Sequence, residues 1–300
     1  MKPIEDRYRK KKRKIMSPAD VEAVSARTGG RPPRSATGPR AGGPPGARTD
    51  WGEVGEWYDA LVGDQGSEYH REVVLPGVMR LLAPGPADVA VDVACGQGVL
   101  CRLLHAKGVR VTGVDAAGSL IQAAIARGNP AIEYRVADAR HLRVLPAEHF
   151  TLASCVLAIQ NIDPIAPVFE GVARLLVGGG RFVLVMMHPA FRVPQQAHWE
   201  WDPGTRTQFR RVDRYMIAAK TAIRVHPGSN PAQQIWAFHR PLQTYINALG
   251  AAGLLVDRME EWTSHKKSEP GPRAEAEDRA RKEIPLFLAL RAVKPRAQGV

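Results

Sequence analysis

The sequence predicts an α/β protein built on a doubly wound, mostly parallel sheet with helices on both faces. From residue 89 onward, short apolar runs alternate with amphipathic segments at the spacing of βαβ units. Glycine or proline marks most of the joins between them. The chain has 300 residues, of which 44% are hydrophobic, so it can bury the core of one large domain or two small ones.

The elements follow from these patterns in order. Glu68–Leu82 carries an apolar stripe at helical spacing and ends at the turn Pro84–Pro86. The predicted strands are Val89–Val93, Val109–Val114, Ile132–Ala137, Phe150–Leu157, Arg181–Met187, Leu255–Trp262 and Leu286–Ala292. The predicted helices between them are Gly98–Ala106, Ser119–Arg127, Pro164–Leu176 and Pro241–Ala252. We interpret Lys266–Lys282, before the last strand, as a charged loop. The βαβ units imply right-handed crossovers.

Residues 1–50 form a basic tail with a composition of its own. They hold 13 Lys and Arg against 5 Asp and Glu, which is +8 of the net charge of +12 and leaves the remainder near neutral. The Gly/Pro/Arg-rich stretch Gly29–Gly46 cannot bury enough apolar surface to offset its ordering entropy, so we expect a disordered tail. The block Arg7–Lys14 is compatible with a nuclear address or an RNA-binding arm. We favour a solvated extension, or initiation at Met16.

Composition also excludes several classes. Three cysteines cannot supply a disulfide framework, and no Cys/His cluster has the spacing of a metal site. No run of 18 apolar residues exists, and the N-terminus lacks the apolar core of a secretory signal. We therefore expect a cytoplasmic protein with no metal and no membrane partner. The oligomeric state stays open.

Three carboxylates lie at the ends of the first three predicted strands. Asp92 lies in Val89–Val93 just before the glycine-bearing turn Ala94–Gly98, Asp115 follows 23 residues later, and Asp138 follows the third strand. The carboxyl ends of parallel strands share one edge of a sheet, so these side chains are expected together at the topological switch point. Glycines allow close approach of backbone to a ligand, and a carboxylate in the position of Asp115 can accept both hydroxyls of a ribose. A single Asp at such a position more often only caps the following helix or turn. Three of them, each at the carboxyl end of a strand, favour a site for a nucleotide-like cofactor.

The run Asp92-Val-Ala-Cys-Gly-Gln-Gly98 resembles D-x-G-C-G-x-G, the first motif of class I S-adenosylmethionine-dependent methyltransferases of the small-molecule type. Phe150–Ala158 resembles the family's fourth strand, and Leu175–Phe182 resembles its glycine turn before the fifth. The resemblance covers roughly residues 57–294. It implies a Rossmann-like seven-stranded sheet in a domain at 51–300, with S-adenosyl-L-methionine as cofactor. The cofactor-binding residues it implies are Tyr58, Asp92, Ala94, Cys95, Gly96, Gly98, Asp115, Ala116, Asp138, Ala139, Cys155 and Val156.

The sequence departs from the family pattern at two positions. Ala94 replaces the first glycine of the loop, which is tolerable if its φ is negative, and Thr151 replaces the common Asp at the start of the fourth strand. The rival class, a nicotinamide dehydrogenase, calls for G-x-G-x-x-G/A, and Cys101 stands at the last of those positions. We therefore favour a methyltransferase.

The regular alternation breaks over residues 190–236, which show no helical or strand period. The segment is rich in aromatic residues and arginines, which suit a planar or anionic small molecule, so we interpret it as an acceptor-binding insertion. An ordinary surface insertion is the alternative. The substrate-binding candidates are Tyr69, Arg192, Trp199, Trp201 and Trp236. His188, at the end of the fifth strand, is the first candidate general base and His239 the second, with a structural role as the alternative for both.

The sequence thus predicts an enzyme that methylates a small-molecule acceptor. Two alternatives remain: an RNA methyltransferase that uses the basic tail as a phosphate footprint, and a catalytically silent module that only binds the cofactor.

Overall fold

The computed structural model of the protein describes Trp51, Gly55, Asp59 and residues 62–224 and 234–296. Its strands are β1 (Val89–Val93), β2 (Arg110–Asp115), β3 (Glu133–Val136), β4 (Phe150–Val156), β5 (Leu176–Met187), β6 (Ala197–Asp202), β7 (Thr207–Val212), β8 (Ala219–Arg224), β9 (Gln234–His239), β10 (Leu255–Trp262) and β11 (Phe287–Val293). Its α-helices are α1 (Leu75–Leu82), α2 (Val99–His105), α3 (Gly118–Arg127), α4 (Ala166–Leu175), α5 (Leu242–Ala251) and α6 (Ala274–Glu283). A π-helical turn at His70–Val74 leads into α1.

Seven of these strands form one central sheet in the order β3-β2-β1-β4-β5-β11-β10. Neighbours from β3 to β5 run parallel, whereas β11 is antiparallel to both β5 and β10. This confirms the predicted doubly wound, mostly parallel sheet. The chain order reverses between β1 and β4, and ligands of such sheets bind in the crevice outside the strand ends at that point.

The sheet has an apolar core on each face, because side chains of successive residues point to opposite faces of a strand. On β5, Leu184 joins the cluster that includes α4 and α5, whereas Val183 joins the cluster that includes α1 and α2. Both side chains are fully buried. Helices therefore cover both faces, and the loops at the carboxyl ends of the strands are held by a rigid platform.

The segment after β5 is more regular than its sequence suggests. Instead of an aperiodic insertion, it contains two antiparallel hairpins, β6–β7 and β8–β9, each a two-stranded sheet of its own. Trp199 and Trp201 share one face of β6 and alternate with charged residues, so the apolar–polar alternation that signals a strand is present here, although only over a few residues. The expectation of no strand period was wrong.

The charged stretch Lys266–Lys282 was also interpreted incorrectly, because it contains most of α6. This helix buries only Ala276 and Ala280, so it has no apolar stripe to detect. Arg281 pairs with Glu277 and Asp278 one turn earlier, which supports an exposed helix. The predicted disorder of residues 1–50 lies outside the described residues. Within the described part of the chain, none of the helices combines the length and apolar character needed to cross a membrane.

Candidate functional site

A cavity of about 540 Å³ opens at the carboxyl edge of the sheet, at the switch point between β1 and β4. One part of its lining comes from the loops after β1, β2 and β3, namely Ala94, Gly96, Asp115, Ala116, Leu120, Ala137, Asp138, Ala139 and Arg140. The other part comes from the end of β4 and the turn after it, from β8–β9 and from Trp51. The topology of the central sheet brings the loops after β1, β2, β3 and β4 together at this edge.

The loop after β1 has three residues in the left-handed region of φ. They are Ala94 (φ +56°), Gly96 (φ +55°) and Gly98 (φ +81°). The expectation of a negative φ at Ala94 was therefore wrong, and its Cβ makes this conformation cost about 1–2 kcal/mol. A Cβ at Gly98 would overlap the ring of Tyr134, so this glycine is required by packing beneath the loop.

Asp115 ties the β1 loop to the end of β2. Its Oδ2 accepts a hydrogen bond from the Gly96 N–H at 2.8 Å, and its Oδ1 accepts one from the Ala117 N–H at 2.8 Å. Burial raises the pKa of Asp115, and these two backbone hydrogen bonds oppose that rise. A carboxylate has about four lone-pair sites, so Asp115 keeps acceptor capacity toward the cavity that it lines.

Asp138 lines the same cavity but is already engaged by Arg140. The Nη2 of Arg140 donates to Oδ2 of Asp138 at 2.6 Å, its Nε lies 3.0 Å from Oδ1, and its backbone N–H donates to Oδ1 at 2.9 Å. Burial would raise the pKa of Asp138, but the hydrogen bonds from Arg140 outweigh it and hold the pKa below its usual value. Asp138 is therefore an ionised and charge-balanced part of the cavity wall.

Asp92 lies beneath the glycine loop instead of in the cavity. It shares the α2-facing side of β1 with Ala90, accepts a hydrogen bond from the Ser154 hydroxyl at 2.7 Å, and is contacted by the Cys101 thiol at 3.6 Å. It is 3% exposed, and burial raises its pKa to about 7. The structure thus separates it from Asp115 and Asp138, with which it was grouped.

The other predicted cofactor residues also divide into some that line the cavity and some that do not. Ala94, Gly96, Ala116, Ala139 and Val156 line the cavity with Asp115 and Asp138, whereas Cys95, Gly98 and Cys155 do not. Cys155 is fully buried in β4 on the α4 side of the sheet. Tyr58 lies outside the described residues.

His188 is buried at the end of β5 and does not line the cavity. Its Nδ1 accepts a hydrogen bond from the Ala190 N–H at 3.2 Å, so the ring proton is on Nε2, 2.7 Å from Oε1 of Glu261. Burial lowers the pKa of His188 despite the hydrogen bond to Glu261. Both ring nitrogens are engaged in hydrogen bonds, which favours the structural alternative for His188.

His239 also has a structural environment. Its Nε2 donates to the Tyr215 carbonyl at 2.7 Å, and the Tyr215 hydroxyl accepts a hydrogen bond from the Leu242 N–H at 2.9 Å. These bonds join the end of β9 to the start of α5. The ring of His239 is buried and, like His188, lies outside the cavity lining.

Four of the five predicted substrate residues pack elsewhere. The guanidinium groups of Arg192 and Arg210 lie 5.4 and 5.3 Å from the ring centroid of Trp199. Trp201 packs under Arg273, 4.6 Å away, and so attaches β6–β7 to the start of α6. The hydroxyl of Tyr69 lies 3.0 Å from that of Ser264. Trp236 is the one of the five that lines the cavity.

The sequence reasoning missed the partners of Trp236 on the β8–β9 hairpin. Lys220 and Phe238 also line the cavity, and Trp51 does so from the N-terminal side. The alternation in Gln-Ile-Trp-Ala-Phe-His places Trp236 and Phe238 on one face of a strand, and this was the available signal. Lys220 carried no such signal, because its position depends on the pairing of β8 with β9.

Residues 91–184 match the family model of the methyltransferase domain. Over 103 residues the chain is 31% identical to a ubiquinone biosynthesis O-methyltransferase from Paracidovorax citrulli, covering 33% of this chain and 43% of that protein. Over 105 residues it is 31% identical to a ubiquinone/menaquinone biosynthesis C-methyltransferase from Rubrivivax gelatinosus, covering 35% of this chain and 41% of that protein. The matched region therefore spans less than half of either relative.

Solved structures extend the likeness to most of the chain. An S-adenosylmethionine-dependent methyltransferase from Mesorhizobium loti is 28% identical with a TM-score of 0.57, covering 73% of this chain and 95% of that one. A second structure, from Listeria monocytogenes, is 21% identical with a TM-score of 0.58 and supports the fold. In its fold the chain is therefore similar to S-adenosylmethionine-dependent methyltransferases, and within it residues 91–184 match the methyltransferase domain model.

Proposed function

We propose that the protein transfers a methyl group from S-adenosyl-L-methionine to a small-molecule acceptor. The observation that supports this most strongly is the cavity at the switch point. Its lining combines the glycine loop and Asp115 with an aromatic wall from the β8–β9 hairpin. A volume of about 540 Å³ falls within the range of small-molecule and cofactor sites.

The residues of the cavity fit this cofactor. Asp115 has acceptor capacity for ribose hydroxyls beyond its two backbone bonds, and Leu120 and Ala139 supply apolar contacts for a base. Gly96, without a side chain, allows close approach to the loop. When bound, the cofactor supplies a methyl group on a sulfonium, which is already a positively charged leaving group. We assign Asp115 to the ribose, Asp138 and Ala139 to the adenine region, and Gly96 to the methionine part.

The chain's contribution to the chemistry is positioning and the exclusion of water. Among the described residues that line the cavity, the titratable groups are Asp115, Asp138, Arg140, Asp163 and Lys220, and no histidine is present. We therefore assign no role as a base to His188 or His239. Instead, the cavity walls hold the acceptor in line with the methyl group, and such positioning can contribute greatly to the rate of a two-substrate reaction. An acceptor that ionises on its own near neutral pH suits this arrangement.

The proposed function can be tested with a methyl-labelled donor. The full chain is incubated with labelled S-adenosylmethionine and a deproteinised metabolite extract, and label is followed into small molecules; total RNA serves as a parallel acceptor. Label in a small molecule, lost in Asp115→Ala and retained in Asp257→Asn, is the expected result. Asp257 lies on β10 and pairs with Arg291. Label in RNA alone would favour the RNA methyltransferase, and donor binding without transfer to either would favour a silent module.

A further inference from the structure

The cavity has a wall that the cofactor residues do not account for. In the β8–β9 hairpin, Lys220 pairs with Phe238 and Ala222 pairs with Trp236. Because side chains alternate across a strand, Lys220, Trp236 and Phe238 lie on the same face of the hairpin, and all three line the cavity. The opposite face buries Ile235 and Ala237. The hairpin therefore presents two rings and one cation to the cavity.

The cation is placed over rings instead of beside a carboxylate. The Nζ atom of Lys220 lies 4.0 Å from the ring centroid of Trp236 and 5.8 Å from that of Phe238. Trp236 remains 37% exposed, although it is one of the largest apolar side chains of this face. The ammonium group occupies one face of the indole, so the exposed remainder of Trp236 is the surface on which a ligand ring can pack, with the positive charge close by.

The other charges around the cavity leave that of Lys220 unbalanced. Arg140 is held by Asp138, and Asp163 is paired with Arg240 at 2.6 Å. Within the described part of the chain Lys220 makes no ion pair, whereas Asp115 is bonded only to backbone N–H groups. Among the described lining residues, Asp115 thus contributes a negative charge and Lys220 a positive charge that no ion pair balances.

The hairpin is also fixed relative to the strand ends. The side-chain amide of Asn161, in the turn after β4, donates to the Trp236 carbonyl at 2.9 Å. Val156, Leu157 and Ala158 line the cavity just before that turn. A flat ring can therefore stack on Trp236 with the β4 end nearby and with an acidic substituent at Lys220.

We propose that the acceptor is a planar aromatic molecule with an anionic oxygen substituent, recognised by stacking on Trp236 and by the charge of Lys220. The proposal rests on the methyltransferase function proposed above, since it names the acceptor class of the same site. Lys220 is then a specificity-determining residue.

Two probes of matched shape test it: 2-naphthoate, which is anionic, and 2-naphthamide, which is neutral. Each is titrated calorimetrically at pH 7.5 into protein saturated with S-adenosylhomocysteine. Lys220 is exposed, so its charge should favour naphthoate over naphthamide by roughly three- to tenfold in the wild type. Lys220→Met should remove that preference and Lys220→Arg should keep it, while Trp236→Ala should weaken both probes.

Lys266→Met is the matched control, because Lys266 also lies over an aromatic ring, that of Tyr69 at 5.2 Å, but outside the cavity. It should leave both probes unaffected. Equal affinities of the wild type for the two probes, an unchanged preference in Lys220→Met, or no binding of either probe would overturn the proposal. A separate titration with S-adenosylhomocysteine alone tests the proposed function. If it does not bind, the proposed function fails, and the probes titrated into the free protein still test the hairpin wall.

Discussion

Replacing Asp92 by asparagine should change how the stability of the protein depends on pH. Burial raises the pKa of Asp92 to about 7 in the folded state, from 3.8 for the free side chain. Between these two pH values the folded state therefore binds more protons than the unfolded state. The contribution of Asp92 to the free energy of unfolding is fully present below about pH 4 and is lost as the pH rises to about 7. At 1.36 kcal/mol for each pKa unit, the full loss is about 4 kcal/mol, of which about 3 kcal/mol falls between pH 5 and pH 8.

Asparagine cannot ionise, and its carbonyl can still accept from the Ser154 hydroxyl that now donates to Asp92 at 2.7 Å. Urea unfolding of the wild type and of Asp92→Asn, measured from pH 5 to pH 8, gives the difference in free energy of unfolding. Comparing the two proteins cancels other titrating groups. From pH 5 to pH 8, the free energy of unfolding of Asp92→Asn should rise by about 3 kcal/mol relative to that of the wild type. Asp257→Asn should show no such relative rise. A difference that is constant with pH would refute the assignment of a protonated, buried Asp92.

Two further predictions concern Ala94 and His188. Ala94→Gly should raise the free energy of unfolding by up to about 1 kcal/mol, because relief of the strain at φ +56° exceeds the entropy cost of glycine. Thermal unfolding measures this change, and a loss of stability would contradict the strained conformation. His188→Gln should lower stability by about 1–3 kcal/mol through the bonds to Glu261 and Ala190, yet leave kcat within about threefold. A hundredfold fall in kcat of the folded variant would instead make His188 a general base.

The strand ends were predictable because they depend on local signals. An apolar run that ends in a carboxylate placed Asp115 and Asp138 at one sheet edge, and both line the cavity. Asp92 belongs to the same pattern, but the two-residue period of β1 turns its side chain toward Cys101 on α2. The prediction grouped all three carboxylates because it used only their positions at strand ends. It did not use the two-residue period that decides which face each side chain is on.

The acceptor wall was harder to predict because it depends on pairing between segments. Trp199 and Trp236 are both tryptophans in the insertion, yet Trp199 packs against two arginines and Trp236 lines the cavity. Composition does not distinguish them. Lys220 becomes a wall residue only because β8 pairs with β9 in the register that sets it opposite Phe238.

The central claim is that Asp115 and the glycine loop hold S-adenosylmethionine, and calorimetric titration of the cofactor tests it most directly. The wild type should bind, and Asp115→Ala should bind ten- to a hundredfold more weakly, since a hydrogen bond to a charged group contributes about 1.5–3 kcal/mol. Asp257→Asn, far from the cavity on β10, should bind like the wild type. Wild-type affinity in a folded Asp115→Ala protein would contradict the account.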